Sequence, residues 1–311
     1  MKFPICIFAI LSVVSTSIIR CSRESEDIHS IFAPGAEIIQ LSSELDFTFL
    51  EGPAWDGEES LYFTDVPVSR IHKYTLDKGF SVFREHTDQA NGLMFNPKGR
   101  LVACEGGSGR VTVMNQHGEV VEIRGSEYRG MPFNSPNDLV IDKHGGIYFT
   151  DPNFGGTEDL SQDSEAVYYI RPEGDIVRVI DDIKKPNGIV LSADGSRLFV
   201  ADSYDVFVRA YRVSANGIPV DKYIFATLKS KDEESDITWA DGMTMDSEGH
   251  LYVATDLGIQ IFNKKGVHLG ILNVPETPSN CTIGGRDGKT LYITAKKNLY
   301  AIKLDVKGIN R

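Results

Sequence analysis

Cysteine is scarce, basic residues are outnumbered by acidic ones, and only one stretch of the chain is long and apolar. Four Cys occur in 311 residues, and Cys6 and Cys21 both fall within the first 21 positions. That is too few for a disulfide framework. Cys104 and Cys281 lie among strand-forming apolar residues and are expected as buried free thiols. Lys and Arg number 32 against 44 Asp and Glu, a net charge of −12 with no basic cluster. A nucleic-acid partner, which needs concentrated positive charge, is therefore excluded. No stretch beyond residue 21 repeats apolar residues at helical spacing between caps, so an α-helical architecture is excluded too. There is no Gly-x-Ser-x-Gly nucleophile elbow. The Gly-rich EGGSG at 105–109 has no helix signal after it and is expected as a tight turn at the pocket rim, not a phosphate cradle.

The apolar stretch is at the start. Residues 1–21 carry one early Lys and an apolar run diluted by Ser and Thr, the pattern of a secretory signal. The run is short for a spanning helix, which needs about 20 apolar residues. Cleavage near Ser15 and Ser17 and lipid attachment at Cys21 are the two processing routes. Either predicts an extracytoplasmic protein, periplasmic or secreted, with no membrane span in the mature chain. Residues 22–37 read as a short linker and residues 38–311 as one domain.

What the chain has in abundance is a repeat. An Asn, Asp or Glu opens a short apolar run, a polar turn ending in Gly follows, and a second run rich in Tyr, Phe, Val and Thr returns. The copies begin at Glu51 (EGPAWDGEESLYFTD), Asn91 (NGLMFNPKGRLVACE), Asn137 (NDLVIDKHGGIYFTD), Asn187 (NGIVLSADGSRLFVAD), Asp241 (DGMTMDSEGHLYVATD) and Asn280 (NCTIGGRDGKTLYITA). Their spacings are 40, 46, 50, 54 and 39 residues. Each copy has the chemistry of a β-hairpin, and further short strands follow it. Six units of about 45 residues, each worth four strands, predict an all-β, six-bladed β-propeller. Residues 38–50 are expected to pair with the last blade and close the ring.

Rotational repetition has a chemical consequence. Residues that open the innermost strand of every blade converge on one axis, and here all six carry a side-chain oxygen. Oxygen donors without thiolate or His select a hard cation. Ca²⁺ suits 6–8 oxygens in irregular geometry, with Mg²⁺, Mn²⁺ and Zn²⁺ as the other candidates.

The ordered series EGPAW at 51–55, NSPND at 134–138, YFTDP at 148–152, KPNG at 185–188, ADGM at 240–243 and LYITA at 291–295 resembles the senescence-marker-protein/gluconolactonase/luciferin-regenerating-enzyme family of six-bladed propellers. The resemblance runs from about Phe47 to Leu304. It implies a divalent metal, usually Ca²⁺, held on the axis by Glu51, Asn137, Asn187 and Asp241. Asn91 and Asn280 then line the site, and Asp138, Asp151 and Phe154 are candidates to contact substrate. Ser135 stands where the senescence-marker branch carries an Arg, which makes the bacterial gluconolactonase branch the nearer match.

The activity implied is metal-dependent opening of lactone rings, sugar lactones in particular, with a small-molecule substrate and a monomeric enzyme. Asp241 is the candidate catalytic residue, as general base or by direct attack. The alternatives are a non-catalytic, calcium-plugged propeller that binds a ligand or protein, and a related phosphotriesterase. Of the seven His, His144 and His250 fall in hairpin turns and are expected to be exposed. His72 and His268 are candidates for a second metal site.

Overall fold

The computed structural model describes residues 27–309, apart from 44, 156–159, 233 and 236. The expected signal segment and the lipidation position Cys21 lie outside the described residues. Among the described residues no helix is long and apolar enough to cross a membrane.

Four of the six repeats turn through the same local device, with Asp56, Asn96, Asp142 and Asp246 as its side chains. Asp56 Oδ1 accepts the backbone N–H groups of Glu58, Glu59 and Ser60, Asn96 Oδ1 those of Lys98 and Arg100, and Asp142 Oδ1 those of His144 and Gly146. A short polar side chain thus replaces a strand partner and folds the chain back, with a glycine such as Gly145 (φ +88°) completing the turn. The hairpins this makes are the inner two strands of their blades.

Six four-stranded antiparallel sheets result. The inner strands are Leu50–Trp55, Ala90–Phe95, Leu139–Ile141, Pro186–Leu191, Met243–Met245 and Pro278–Gly284. Between neighbouring blades lie six separate buried apolar clusters, the last joining Phe47, Leu50, Leu61 and Phe63 of blade 1 to Tyr292, Leu299 and Ala301 of blade 6. The core is thus a ring of interfaces around an axis, as a six-bladed propeller requires. Cys104 and Cys281 are buried free thiols within it.

The ring closes as expected. Ile39–Gln40 pairs with Asn298–Lys303 as the outermost strand of blade 6, so that sheet contains both ends of the domain. The stretch read as a linker differs from expectation. Phe32 bridges Leu304, the Ala33 N–H reaches the Lys303 carbonyl, and Ile31 is buried against blades 5 and 6. Its apolar residues have a surface to bury, so from Asp27 onward the segment belongs to the propeller.

His250 also differs. It is buried, and its Nδ1 lies 2.7 Å from Asp246 Oδ2, which accepts the Tyr252 hydroxyl as well. The turn carboxylate uses one oxygen for the backbone and the other to draw the imidazole inward. His144 is exposed as expected. His72 is a core residue, edge-on to Phe47 and stacked on Phe63, and burial lowers its pKa.

Candidate active site on the propeller axis

All inner strands run the same way, so their first residues meet at one end of the axis. The packing there leaves no space for a side chain at several second positions. A Cβ on Gly52 would overlap the Asn91 carbonyl, one on Gly188 the Asp241 carbonyl, and one on Gly242 the Asn280 amide. Backbone hydrogen bonds from Gly92 to Asn137 and from Gly188 to Asp241 fix that approach. Glycine after the opening residue in blades 1, 2, 4 and 5 is therefore what lets those strands approach so narrow a centre.

The side chains brought together are Glu51, Asp138, Asn187, Asp241 and Asn280. Glu51, Asp138, Asn187 and Asn280 are buried, and Asp241 is partly buried. Burial first, and then repulsion from Asp241 and Asp138, raises the Glu51 pKa well above the usual carboxylate range. Burial raises Asp138 to about 7 and, with repulsion from Asp138, Asp241 also to about 7. The Asp241 charge lies close enough to Glu51 to disfavour its ionisation, and a nearby cation would relieve that repulsion.

The amides set the polarity of the centre. Asn280 Oδ1 accepts its neighbour's Cys281 N–H, so its NH₂ is the end presented to Glu51 and Asp138. Asn187 donates to Ser203 Oγ at 3.1 Å and toward Asp241, while its Oδ1 is buried with no hydrogen-bond partner among the described residues. Ser203 in turn donates to the Ala240 carbonyl at 2.6 Å, tying the blade 4 and blade 5 ligand positions together.

This donor set fits a hard divalent cation. Two carboxyls whose ionisation burial disfavours, beside an orphaned amide oxygen, supply the charge and the lone pair that such an ion takes up. Among the described residues no group of three His, Cys, Asp or Glu is arranged around a metal position. The candidate set instead mixes acids with amides.

The other expected residues divide. Asn137 is buried beside Asp138, and its carbonyl accepts from Gly92. The Asn91 carbonyl accepts the Thr64 hydroxyl, and its side chain is partly exposed. Phe154 is exposed on the same face of the disc.

Asp151 corrects its expected contact with substrate. It is fully buried, and its two oxygens accept the backbone N–H groups of Asn134 and Ser135. Asp65 does the same for Thr48 and Phe49, and Asp202 for Lys184 and Lys185. In blades 1, 3 and 4 the Asp ending the second strand is thus a clamp on the loop leading into its own blade, and the D after the second apolar run was the signal for it.

Sequence reasoning missed Ser203, and it missed the side chains around Lys185. A single Ser or Lys outside the repeat position carries no pattern. A cavity of about 750 Å³ lies along the axis and opens at the opposite face, between the hairpin turns, with Asp138 and Asn280 in its wall.

The profile of the SMP-30/Gluconolactonase/LRE-like region matches residues 49–297. The gluconolactonase of Zymomonas mobilis is 30% identical over 291 residues, covering 85% of this chain and 80% of that protein. Lactonase drp35 of Staphylococcus haemolyticus is 27% identical, covering 79% of this chain and 73% of that one. Among solved structures, a gluconolactonase from Xanthomonas campestris superposes with a TM-score of 0.80 at 28% identity, covering 89% of this chain and 92% of that one.

Proposed function

The chain belongs to the SMP-30/gluconolactonase/LRE-like family, and from that premise we propose that it is a lactonase whose reaction takes place at the axial acid–amide centre. The observation that carries this reading is the convergence of Glu51, Asn187 and Asp241 at one end of the axis, with an unpartnered amide oxygen beside two acids whose pKa values burial raises. Glu51, Asn137, Asn187 and Asp241 would hold one divalent cation, Ca²⁺ by preference. When bound, it supplies Lewis-acid polarisation of the lactone carbonyl.

The protein's own residues do the rest. Asp241 orients the attacking water and accepts its proton, a role that its raised pKa of about 7 favours. The water oxygen bonds to the carbonyl carbon, the ring C–O bond breaks, and the ring oxygen leaves with a proton as the product hydroxyl. Asn187 holds Asp241 by a hydrogen bond and is itself fixed by Ser203. Asn280 holds Glu51 in the same way.

Sugar lactones are the substrate class to test first, because the Zymomonas relative is named a gluconolactonase. We also read residues 1–21 as a leader that delivers a monomeric enzyme out of the cytoplasm.

The test is hydrolysis of glucono-δ-lactone followed with a pH indicator. Loss of a general base costs about 10²–10⁴ in rate, so Asp241→Asn should lower kcat at least 100-fold while still binding calcium. Glu51→Ala should lose calcium binding and activity together. Substantial turnover by Asp241→Asn rules out its catalytic role.

A further inference from the structure

The face that carries the axial centre also carries the loops between second and third strands and the loops leading into each blade. Of the fifteen large hydrophobic side chains exposed among the described residues, seven lie in those loops, against two (Leu76 and Val267) in the turns of the opposite face. The most ordered part of this apolar rim is a chain of four side chains. Phe154 covers one side of the Lys185 ammonium at 5.3 Å from its ring centre, and Tyr204 covers another at 5.2 Å. Trp239 then meets Tyr204 edge to face at 5.5 Å.

Two of these rings are not accounted for by the fold. The Lys185 charge is already satisfied, since its Nζ donates to the Asn153 carbonyl at 2.8 Å and pairs with Glu165. Trp239 packs edge to face on Tyr204 and stays 52% exposed, and Phe154 stays 44% exposed. Trp239 also holds a left-handed backbone at φ +48°, a conformation unfavourable for a bulky residue. It is pinned there by its N–H on the Ser203 carbonyl. Such outliers persist where the surroundings over-determine them, and here the surroundings are the ligand positions themselves. Trp239 precedes Asp241 by two residues, Lys185 precedes Asn187 by two, and Ser203 links both sides.

We propose that Trp239, Tyr204 and Phe154 form a subsite beside the axial centre that stacks on the apolar face of a ring carried outside the lactone, either an aryl group or the C–H face of a second sugar. Trp239 and Lys185 each stand two residues before an axial residue, so this row of rings sits on the loops that deliver Asp241 and Asn187 to the centre, within reach of a substituent on a lactone bound there. Stacking on an exposed indole in a partly dry cleft is the interaction these side chains offer. This inference rests on the lactonase reading above and refines which lactones the enzyme prefers.

The experiment compares three substrates: unsubstituted glucono-δ-lactone, its glycosylated form cellobionolactone, and a phenyl-substituted δ-lactone. In Trp239→Ala, and in Phe154→Ala as a second variant, the ratio of kcat/KM for a ring-bearing substrate to that for the unsubstituted one should fall five- to tenfold, mostly through KM. Trp239→Phe should restore most of it. Which substrate loses its preference identifies the ring as aryl or sugar. Ratios unchanged in both alanine variants overturn the proposal.

A second readout does not need turnover. The chain has two Trp, and Trp55 stacks on Tyr292 at the far end of the axial channel. In a Trp55→Phe background, fluorescence therefore reports Trp239 alone. Saturable quenching by cellobionate or by the phenyl hydroxy acid supports the subsite, and its absence with both overturns it. If the wild type opens no lactone, the lactonase reading fails, and the quenching result still decides the subsite.

Discussion

At the residue scale, the two amides nearest the acids differ in which end of the group faces the centre. Asn280 spends its oxygen on the Cys281 N–H and presents NH₂ to Glu51 and Asp138, so it steadies charge that is already there. Asn187 spends its NH₂ on Ser203 and Asp241 and keeps a bare oxygen, which is what a cation requires. The acids around them have raised pKa values, and the sign of the pH effect follows. A carboxyl whose folded pKa lies above its unfolded value of about 4 stabilises the fold fully below pH 4 and loses that contribution as pH rises through the folded value. For Asp138 and Asp241 that window is pH 4 to about 7. A cation needs the ionised forms, so its stabilising effect must grow across the same window. Thermal melts with and without calcium should show a larger upward shift at pH 8 than at pH 5. An equal shift at both would mean that calcium binds away from these acids.

At the scale of the element, the hairpins were legible because each turn is a local matter. An Asp or Asn whose oxygen takes the next N–H groups, followed by Gly, specifies the fold-back within a few residues, as Asp56, Asn96 and Asp142 do. The hairpins' sixfold recurrence then gave the blades and the direction of the axis. The orientation of a side chain at a repeated position was not legible. Asp151 and Asp241 are both acids at the mouth end of a blade, but one faces backbone N–H groups and the other faces the axis. Nor was the aromatic row, because Phe154, Lys185, Tyr204 and Trp239 come from four separate loops whose contacts are non-local. Glycine at the second position of the inner strand makes a testable claim about the blades. Gly242→Ala puts a methyl group where the Asn280 amide sits, and overpacking of this kind costs about 1–3 kcal/mol or more. The variant should melt several degrees lower and bind calcium more weakly, by calorimetry. Gly145→Ala, in an open turn with no atom near the added carbon, should leave calcium binding intact.

For the whole molecule, closure decides whether six blades act as one body. Blade 6 takes its outer strand, Ile39–Gln40, from the opposite end of the chain, and Ser42 secures it by accepting the Leu299 N–H and donating to Asn298. Removing residues up to Gln40 leaves the Asn298–Lys303 edge unpaired, an exposed template for association. That truncation should lower the melting temperature and populate oligomers on a sizing column; a monomer of unchanged stability would show that closure contributes little. In the site proposed above, a divalent cation held by Glu51, Asn137, Asn187 and Asp241 would tie blades 1, 3, 4 and 5 together in the same sense. The most direct measurement is lactone hydrolysis by the purified protein before chelation, after exhaustive chelation, and after calcium is added back. The acid–amide centre predicts that turnover disappears on chelation and returns with one equivalent of calcium per chain. Turnover that continues unchanged in the chelated protein would contradict it.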